Sequence, residues 1–416
     1  MKLGIVFQGE CRNKDNVVRA VQRMAKEKGY RVGAWKEGMR VVLCPTGYVD
    51  LGWVPVRSFF GRWKITGSCV SVPAGPGFHR AAAELIQALG EKEIKDMEWK
   101  DSTNYLEDPD FEALRRETFE PWLAEQLKQA LEELDRDPEG EVRLFWDEDQ
   151  YWPEKVPGTV VTPVGRFSRQ WLGQRLERGA LRLFLWNEPG HDARFHRNCA
   201  LKRLWEDCYF APSDRSGEDA QINGLILDEL EKSAQMDPEL PLSVESYREL
   251  CILDDRGFGL PEDIPELEEE FAPGYHKGEV TQSFDTLRFP LPGVYRYEWN
   301  EDGRGGGGCI WWDEESDSPL WRVSGYRSKN VKAAWNADLA GFSDVETREE
   351  PGFSAHWGWK ELEQRTDPEK PVYQVLGEVV AGPTLFVFTV TFSLPEERED
   401  IYARIRRIEA VEREEG

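Results

Sequence analysis

Apolar residues in the first ninety positions switch between two spacings. Residues 3–7 form a short apolar run of strand length. Residues 16–28 then set Val17, Val18, Val21, Met24 and Ala25 on one helical face, and Gly29 stands where a left-handed glycine ends a helix. Val, Ile and Trp enrich 40–44 and 63–72, which predicts strands. After Pro73-Ala74-Gly75-Pro76-Gly77 the spacing is helical again, burying Phe78, Ala82, Leu85, Ile86 and Leu89. Residues 110–134 repeat Phe111, Leu114, Phe119, Leu123, Leu127 and Leu131 at helical intervals, and Pro121 is expected to break or restart that helix. The acidic 135–141, with Pro138 and Gly140, predicts a domain boundary.

Strand patterns at 142–146, 159–164 and 181–186 alternate with helical runs that begin after Ser168, Asp192 and Ser216, the last with the S-x-x-[DE] start Ser216 to Asp219. Residues 257–276 contain no Lys or Arg and carry prolines at 261, 265 and 273, which predicts an extended, charge-repelled linker. Strands dominate the remainder. Tyr295, Tyr297 and Trp299 alternate with Arg296 and Glu298, and Ile310-Trp311-Trp312 answers them across a glycine turn as a hairpin. Residues 373–380 and 385–392 predict a second hairpin whose last strand, apolar on both faces, belongs in the middle of a sheet. Ser393-Leu394-Pro395-Glu396 opens a closing helix bearing Ile401, Ile405 and Ile408. The expectation is a multidomain α+β protein of open sheets with packed helices: an α+β domain over 1–139, an α/β domain over 140–256, the acidic linker 257–276, and an antiparallel sheet over 277–416 closed by the terminal helix.

From about 284 to 411, a short strand ending in Phe289-Pro290-Leu291-Pro292-Gly293-Val294-Tyr295, consecutive antiparallel strands, the long apolar run 384–392 and the terminal helix resemble the Mog1/PsbP-like fold family. The resemblance covers less than a third of the chain. It implies a fold for that part and brings no shared catalytic residues.

Charge changes the picture of partners. The 416 residues hold 78 acids against 53 bases, a formal net charge of -25, together with 17 tryptophans. Disordered acidic chains lack aromatics, so this is a folded acidic protein. Its field repels nucleic acid and anionic membrane, and attracts a basic protein. Seven cysteines without CxxC spacing read as reduced thiols, and neither a signal segment nor a spanning helix stands out, which together predict a cytoplasmic protein.

Candidate chemistry is sparse. His191, Asp192, His196, Cys199 and Cys208 lie close in sequence, and His196 and Cys199 would share a helical face, yet the paired ligand spacings of a zinc site are absent, so no metal and no cofactor is expected. Gly303 to Gly308 lacks the Lys-Ser/Thr and the following helix of a phosphate loop, and reads as a hairpin tip. Pro76-Gly77-Phe78-His79 opens a helix whose free amides favour an anion, with Cys69 on the preceding strand as a conceivable thiol partner for His79 and no third member to orient the pair. Trp311, Trp312, Trp357 and Trp359 are candidate anchors for a protein partner. The resulting expectation is a protein–protein interaction module, concretely an acidic neutraliser of a basic protein in the manner of an immunity protein. The alternatives are a hydrolase using Cys69 and His79 or the 191–208 cluster, and a carbohydrate-binding module using paired tryptophans.

Overall fold

A computed structural model of the chain describes residues 3–56, 62–72, 74–145, 151–174, 183–267, 274–302, 306–314, 318–327, 333–362 and 371–411. It divides into two compact units, Met1–Trp146 with Val156–Gly274, and Asp147–Lys155 with Tyr275–Gly416. Both helices and open sheets occur in several layers, and no closed barrel forms among the described residues. The architecture is α+β and multidomain. No described helix is long and apolar enough to cross a membrane.

The first unit begins with β1 (Gly4–Cys11), α1 (Lys14–Lys28), β2 (Arg31–Trp35), β3 (Gly38–Cys44), β4 (Gly47–Pro55), β5 (Trp63–Val70), α2 (Pro76–Lys92) and β6 (Lys95–Asp101). The strands form one antiparallel sheet in the order β2-β3-β4-β5-β1-β6. Period-two burial puts Ile5, Phe7, Val41, Leu43, Val49, Leu51 and Ile65 on one face, beneath Val17 and Val21 of α1 and Phe78, Ala82, Ile86 and Leu89 of α2. Gly29 ends α1 at φ +73°, with its N–H on the carbonyls of Ala25 and Lys26.

Pro121 restarts a helix, as its missing N–H requires. Phe111–Ala113 runs into a π-helical turn, Leu114–Phe119, and then into Glu120–Arg136 with the proline in its first turn. The next strands, Glu141–Arg143, Thr159–Thr162 and Gly165–Ser168, form a small sheet. Val142, Val160, Phe167, Phe184 and Trp186 join the same apolar core as the first sheet, so one core spans both sides of the boundary placed at 139/140.

Two sequence expectations fail in the middle of the chain. Residues 181 and 182 of the expected strand lie outside the described residues; Leu183, Phe184, Leu185 and Trp186 are at most 2% exposed, yet they are irregular rather than a strand. Their carbonyls are taken individually, Phe184 and Leu185 by the buried Asn198 amide at 3.1 and 3.3 Å, and Trp186 by the Gly77 N–H at 3.0 Å. The acidic linker is docked over 257–267, and its residues 268–273 lie outside the described residues. Leu242 N–H donates to Pro265 and Leu267 N–H to Leu242, Gly259 N–H donates to the Tyr247 hydroxyl at 2.7 Å, and Ile264 is buried. Leu260 and Ile264 supply the apolar contacts that composition alone hides. The helices Ala193–Lys202, Gly217–Met236 and Val244–Leu253 form the second core beneath them, around Leu204, Ile226, Leu230, Tyr247 and Leu250. Ser168, Asp192 and Ser216 each cap the helix that follows them by accepting a backbone N–H.

In the second unit, a seven-stranded antiparallel sheet runs in the order Arg296–Asp302, Gly306–Trp312, Leu320–Arg327, Thr384–Phe392, Tyr373–Ala381, Phe353–Glu361, Ser343–Glu350. The register sets Tyr297 opposite Trp311 and Ala381 opposite Thr384, which makes both hairpins real and places the 384–392 strand in the interior of the sheet. Residues 303–305 of the expected glycine tip lie outside the described residues, and Gly306 to Gly308 are strand. A second sheet orders Glu409–Ala410, Leu287–Pro292, Glu279–Phe284 and Tyr151–Pro153. The helix Glu397–Ile405 buries Ile401, Tyr402 and Ile405 in the same core as Phe289, Trp311, Trp321, Phe386 and Phe388.

Candidate functional site

The sequence directed attention to the first turn of α2, and the structure fills that turn with protein. Gly75 takes φ +104°, and its N–H donates to the Ser71 carbonyl at 2.7 Å. Gly77 N–H donates to Trp186, His79 N–H to Gly75, and Trp186 N–H returns to Ala74. A Cβ on Gly77 would lie 2.1 Å from Cδ1 of Trp186. The amide expected to bind an anion at Gly77 is therefore satisfied internally, and the helix start is closed by the 183–186 segment.

His79 is fully buried, and both of its ring nitrogens have partners. Nδ1 lies 2.7 Å from the Ser71 hydroxyl. Nε2 lies 2.9 Å from the Thr103 hydroxyl and 3.2 Å from Asp101 Oδ1. Thr103 donates its hydroxyl and its N–H to the same Oδ1, and Leu106 N–H donates to Oδ2. Every polar atom has a partner: Nδ1 pairs with the Ser71 hydroxyl, Nε2 with Thr103 and Asp101, and the carboxylate collects the remaining donors. Burial of Asp101 works to raise its pKa, but the hydrogen bond and charge of His79 with the two amides outweigh it and hold the carboxyl at about 2. Tyr105 and Phe119 close the ring edge-on.

Hydroxyl, imidazole and carboxylate in a row are the groups of nucleophilic catalysis, but chemistry also needs access. Ser71 and His79 have no exposed surface, and neither has the Asp101 side chain. The conceivable Cys69–His79 pair does not form, since the ring is held by Ser71, Thr103 and Asp101. Cys69 itself is buried, and burial pushes its thiol up to about 12 despite hydrogen bonds from Ile5 and Ser71. What this cluster does is fasten the start of α2 to β6 and to the turn after it. Asp101, the orienting carboxylate, is 22 residues beyond His79 on an edge strand without an apolar face, so periodicity gave no pointer to it. Its one local sign is the Asp-x-Thr turn, in which Asp101 caps the N–H of Thr103.

In the 191–208 cluster each residue has a structural task. His196 Nδ1 meets Glu229 Oε2 at 2.5 Å and ties Ala193–Lys202 to Gly217–Met236. His191 stacks on Phe195 at 4.1 Å, and burial, reinforced by His196, lowers its pKa. Cys199 and Cys208 are core, and burial, with the neighbouring Cys44, raises the Cys199 thiol well above its usual value. Among the described residues no group of three or more His, Cys, Asp or Glu is arranged to hold a metal ion.

The proposed tryptophan anchors divide. Trp311 and Trp357 are 1% and 2% exposed and belong to the core, so neither is available to a partner. Trp312 is half-buried, as is Trp359, whose Nε1 donates to Asp344 at 2.9 Å beneath the Arg398 guanidinium. The exposed apolar residues that sequence reasoning missed are Ile252 at 73% and Phe258 at 64%, at the end of Val244–Leu253 and in the loop beyond it. They stand within residues 211–267, which hold 15 acids and 4 bases. The loop is shaped by Arg256 N–H on Cys251, by Gly259 N–H on Tyr247, and by the Arg256 guanidinium between Asp228 and Glu231.

No protein-family model matches this chain, and no curated protein is similar to it. A crystal structure at 1.50 Å resolution from Bacteroides thetaiotaomicron VPI-5482 aligns over 32% of this chain and 46% of that one, at 14% identity and a TM-score of 0.23, a likeness that carries no argument.

Proposed function

We propose that the chain works by binding a basic protein, as an immunity-type neutraliser does, and that the helices Gly217–Met236 and Val244–Leu253 with the loop after them are its binding surface. The observation that carries this reading is the exposure of Ile252 and Phe258 in a strongly acidic stretch of an acidic chain. Acidic charge draws in a cationic partner from a distance, and an aromatic and an aliphatic side chain held on a hydrogen-bonded loop supply apolar contact at low ordering cost. The hydrolase alternative rests on Cys69 and His79, whose burial gives a substrate no entry, or on the 191–208 cluster, whose Cys199 and Cys208 are likewise buried.

The test is kinetic. Basic proteins captured on the immobilised chain are measured one at a time against the wild type, Phe258→Ala and Cys69→Ala at low and high salt. Charges further apart than about 8 Å are screened at physiological ionic strength, so the association rate is expected to fall steeply with salt while dissociation changes little. Phe258→Ala is expected to speed dissociation about tenfold or more, and Cys69→Ala to leave it unchanged. A salt-independent association rate, indifference to Phe258→Ala, or a turnover activity lost in Cys69→Ala would sink the reading.

A further inference from the structure

α1 and α2 cover one face of the six-stranded sheet. The opposite face carries Val6, Trp35, Tyr48, Val54 and Val70, each between 41% and 58% exposed. Their places follow from register: Val6 lies across from Ser68 and Lys100, Val54 from Lys64, Val70 from Gly4, Trp35 from Gly38. Between them stand small residues, Gly33, Gly52, Thr66 and Ser68, so the face is flat with apolar knobs. A solvated antiparallel face is normally polar at such positions.

Its charge also differs from the rest of the chain. Arg40 forms a two-pronged pair with Asp50 at 2.7 and 2.8 Å and lies 3.6 Å over the Tyr48 ring, while Gln8 donates to Glu98. Lys64 faces Glu10 across β1 and β5, and Lys100 is two residues from Glu98 on β6. Both signs are interleaved on a surface that belongs to a chain of net charge -25.

We infer that this face is a self-association surface, on which a second copy of the chain packs sheet against sheet about a two-fold axis. A symmetric interface sets a patch against itself, so it must be self-complementary. Two copies approaching through their acidic surfaces repel each other. Through this face, the lysines of one copy can meet the glutamates of the other while the valines interdigitate over the glycine and serine positions. Six strands about 4.8 Å apart and about seven residues long give a patch of about 25 by 25 Å. With side-chain relief that approaches the roughly 800 Å² per partner of a standard stable interface. Salt screens the net repulsion between copies, so dimerisation strengthens as salt rises. That is the opposite sign to the binding of a basic protein, and the inference does not depend on the proposed function.

The experiment is sedimentation equilibrium with light scattering on the full chain, across a hundredfold range of concentration at low and high salt. The wild type is expected to reach twice the chain mass, with a dissociation constant at least threefold lower at high salt. Val6→Glu, pointing into solvent and away from the core, is expected to weaken the dimer tenfold or more, and Met236→Glu, off this face, to leave it intact. If Val6→Glu fails to fold, Lys64→Glu carries the same test, with an expected loss of threefold or more. A wild type monomeric throughout at high salt, or a dimer indifferent to both face variants, overturns the inference.

Discussion

Replacing Asp101 with asparagine keeps the shape of the buried cluster around His79 and removes its charge. In the folded protein the carboxyl sits at about 2 against an ordinary 3.8. Linkage converts that difference to about 2 kcal/mol of stability at neutral pH. A second route gives a similar size. An asparagine must turn its NH2 toward either the donors on Oδ1, which are Thr103 and His79, or the Leu106 N–H on Oδ2. At least one buried donor then loses its acceptor, at about 1–3 kcal/mol. The two figures describe the same loss, so Asp101→Asn is expected to destabilise the first unit by about 2–3 kcal/mol. The pH dependence fixes the sign. Because the folded value lies below the unfolded one, the stabilisation is complete above about pH 4 and disappears as pH falls toward about 2. Urea unfolding of both proteins from pH 7 to pH 2.5 should therefore show a gap that narrows on the acid side, and the remaining carboxylates cancel in the comparison. A variant within about 0.5 kcal/mol of wild type at pH 7, which is the ordinary scatter of surface substitutions, or a gap that keeps its size in acid, would refute the assignment of the cluster.

Gly77→Ala forces a methyl onto the Trp186 ring and should cost about 1–3 kcal/mol in thermal or urea unfolding, whereas Gly224→Ala, in a helix with open space at its Cβ, should gain about 0.8 kcal/mol. All seven cysteines are buried thiols, so a thiol-specific reagent at pH 8 should react slowly with the native chain and titrate seven thiols in guanidinium. Trp357→Ala should lower the stability of the second unit by about 3–5 kcal/mol and leave partner affinity unchanged in the folded fraction.

Local signals in the sequence were reliable where the physics is local. Gly29, Ser168, Asp192 and Ser216 announced helix ends because a cap is settled by a residue and the few amides beside it. The two hairpins were legible for the same reason, their partners being a turn apart. The run at 181–186 misled because a short apolar stretch has the same composition whether it pairs in a sheet or is pinned by a remote amide such as Asn198. Trp311 and Trp357 misled because tryptophan serves cores and interfaces alike, and only burial separates the two. His79 is marked by its place at a helix start, but its partners Ser71, Thr103 and Asp101 are brought to it only by the fold. Ile252 and Phe258 carry no sequence signal of their own, because the charge around them points to solvent everywhere.

The short strand Tyr151–Pro153 has a consequence for biosynthesis. It lies in the sheet of the second unit, on the edge of Glu279–Phe284, while the sequence before and after it belongs to the first. During translation it emerges well before the strand it must pair with, and at about 5–20 residues per second the interval is on the order of ten seconds. For that time its backbone is an unmatched edge on the nascent chain, open to chaperones or to a neighbouring polypeptide. The second unit cannot be completed from its own contiguous stretch. A gene fragment encoding only the C-terminal third would yield a sheet without its border strand, so separate expression of the two units requires residues 151–153 to be joined to the second by a new connection.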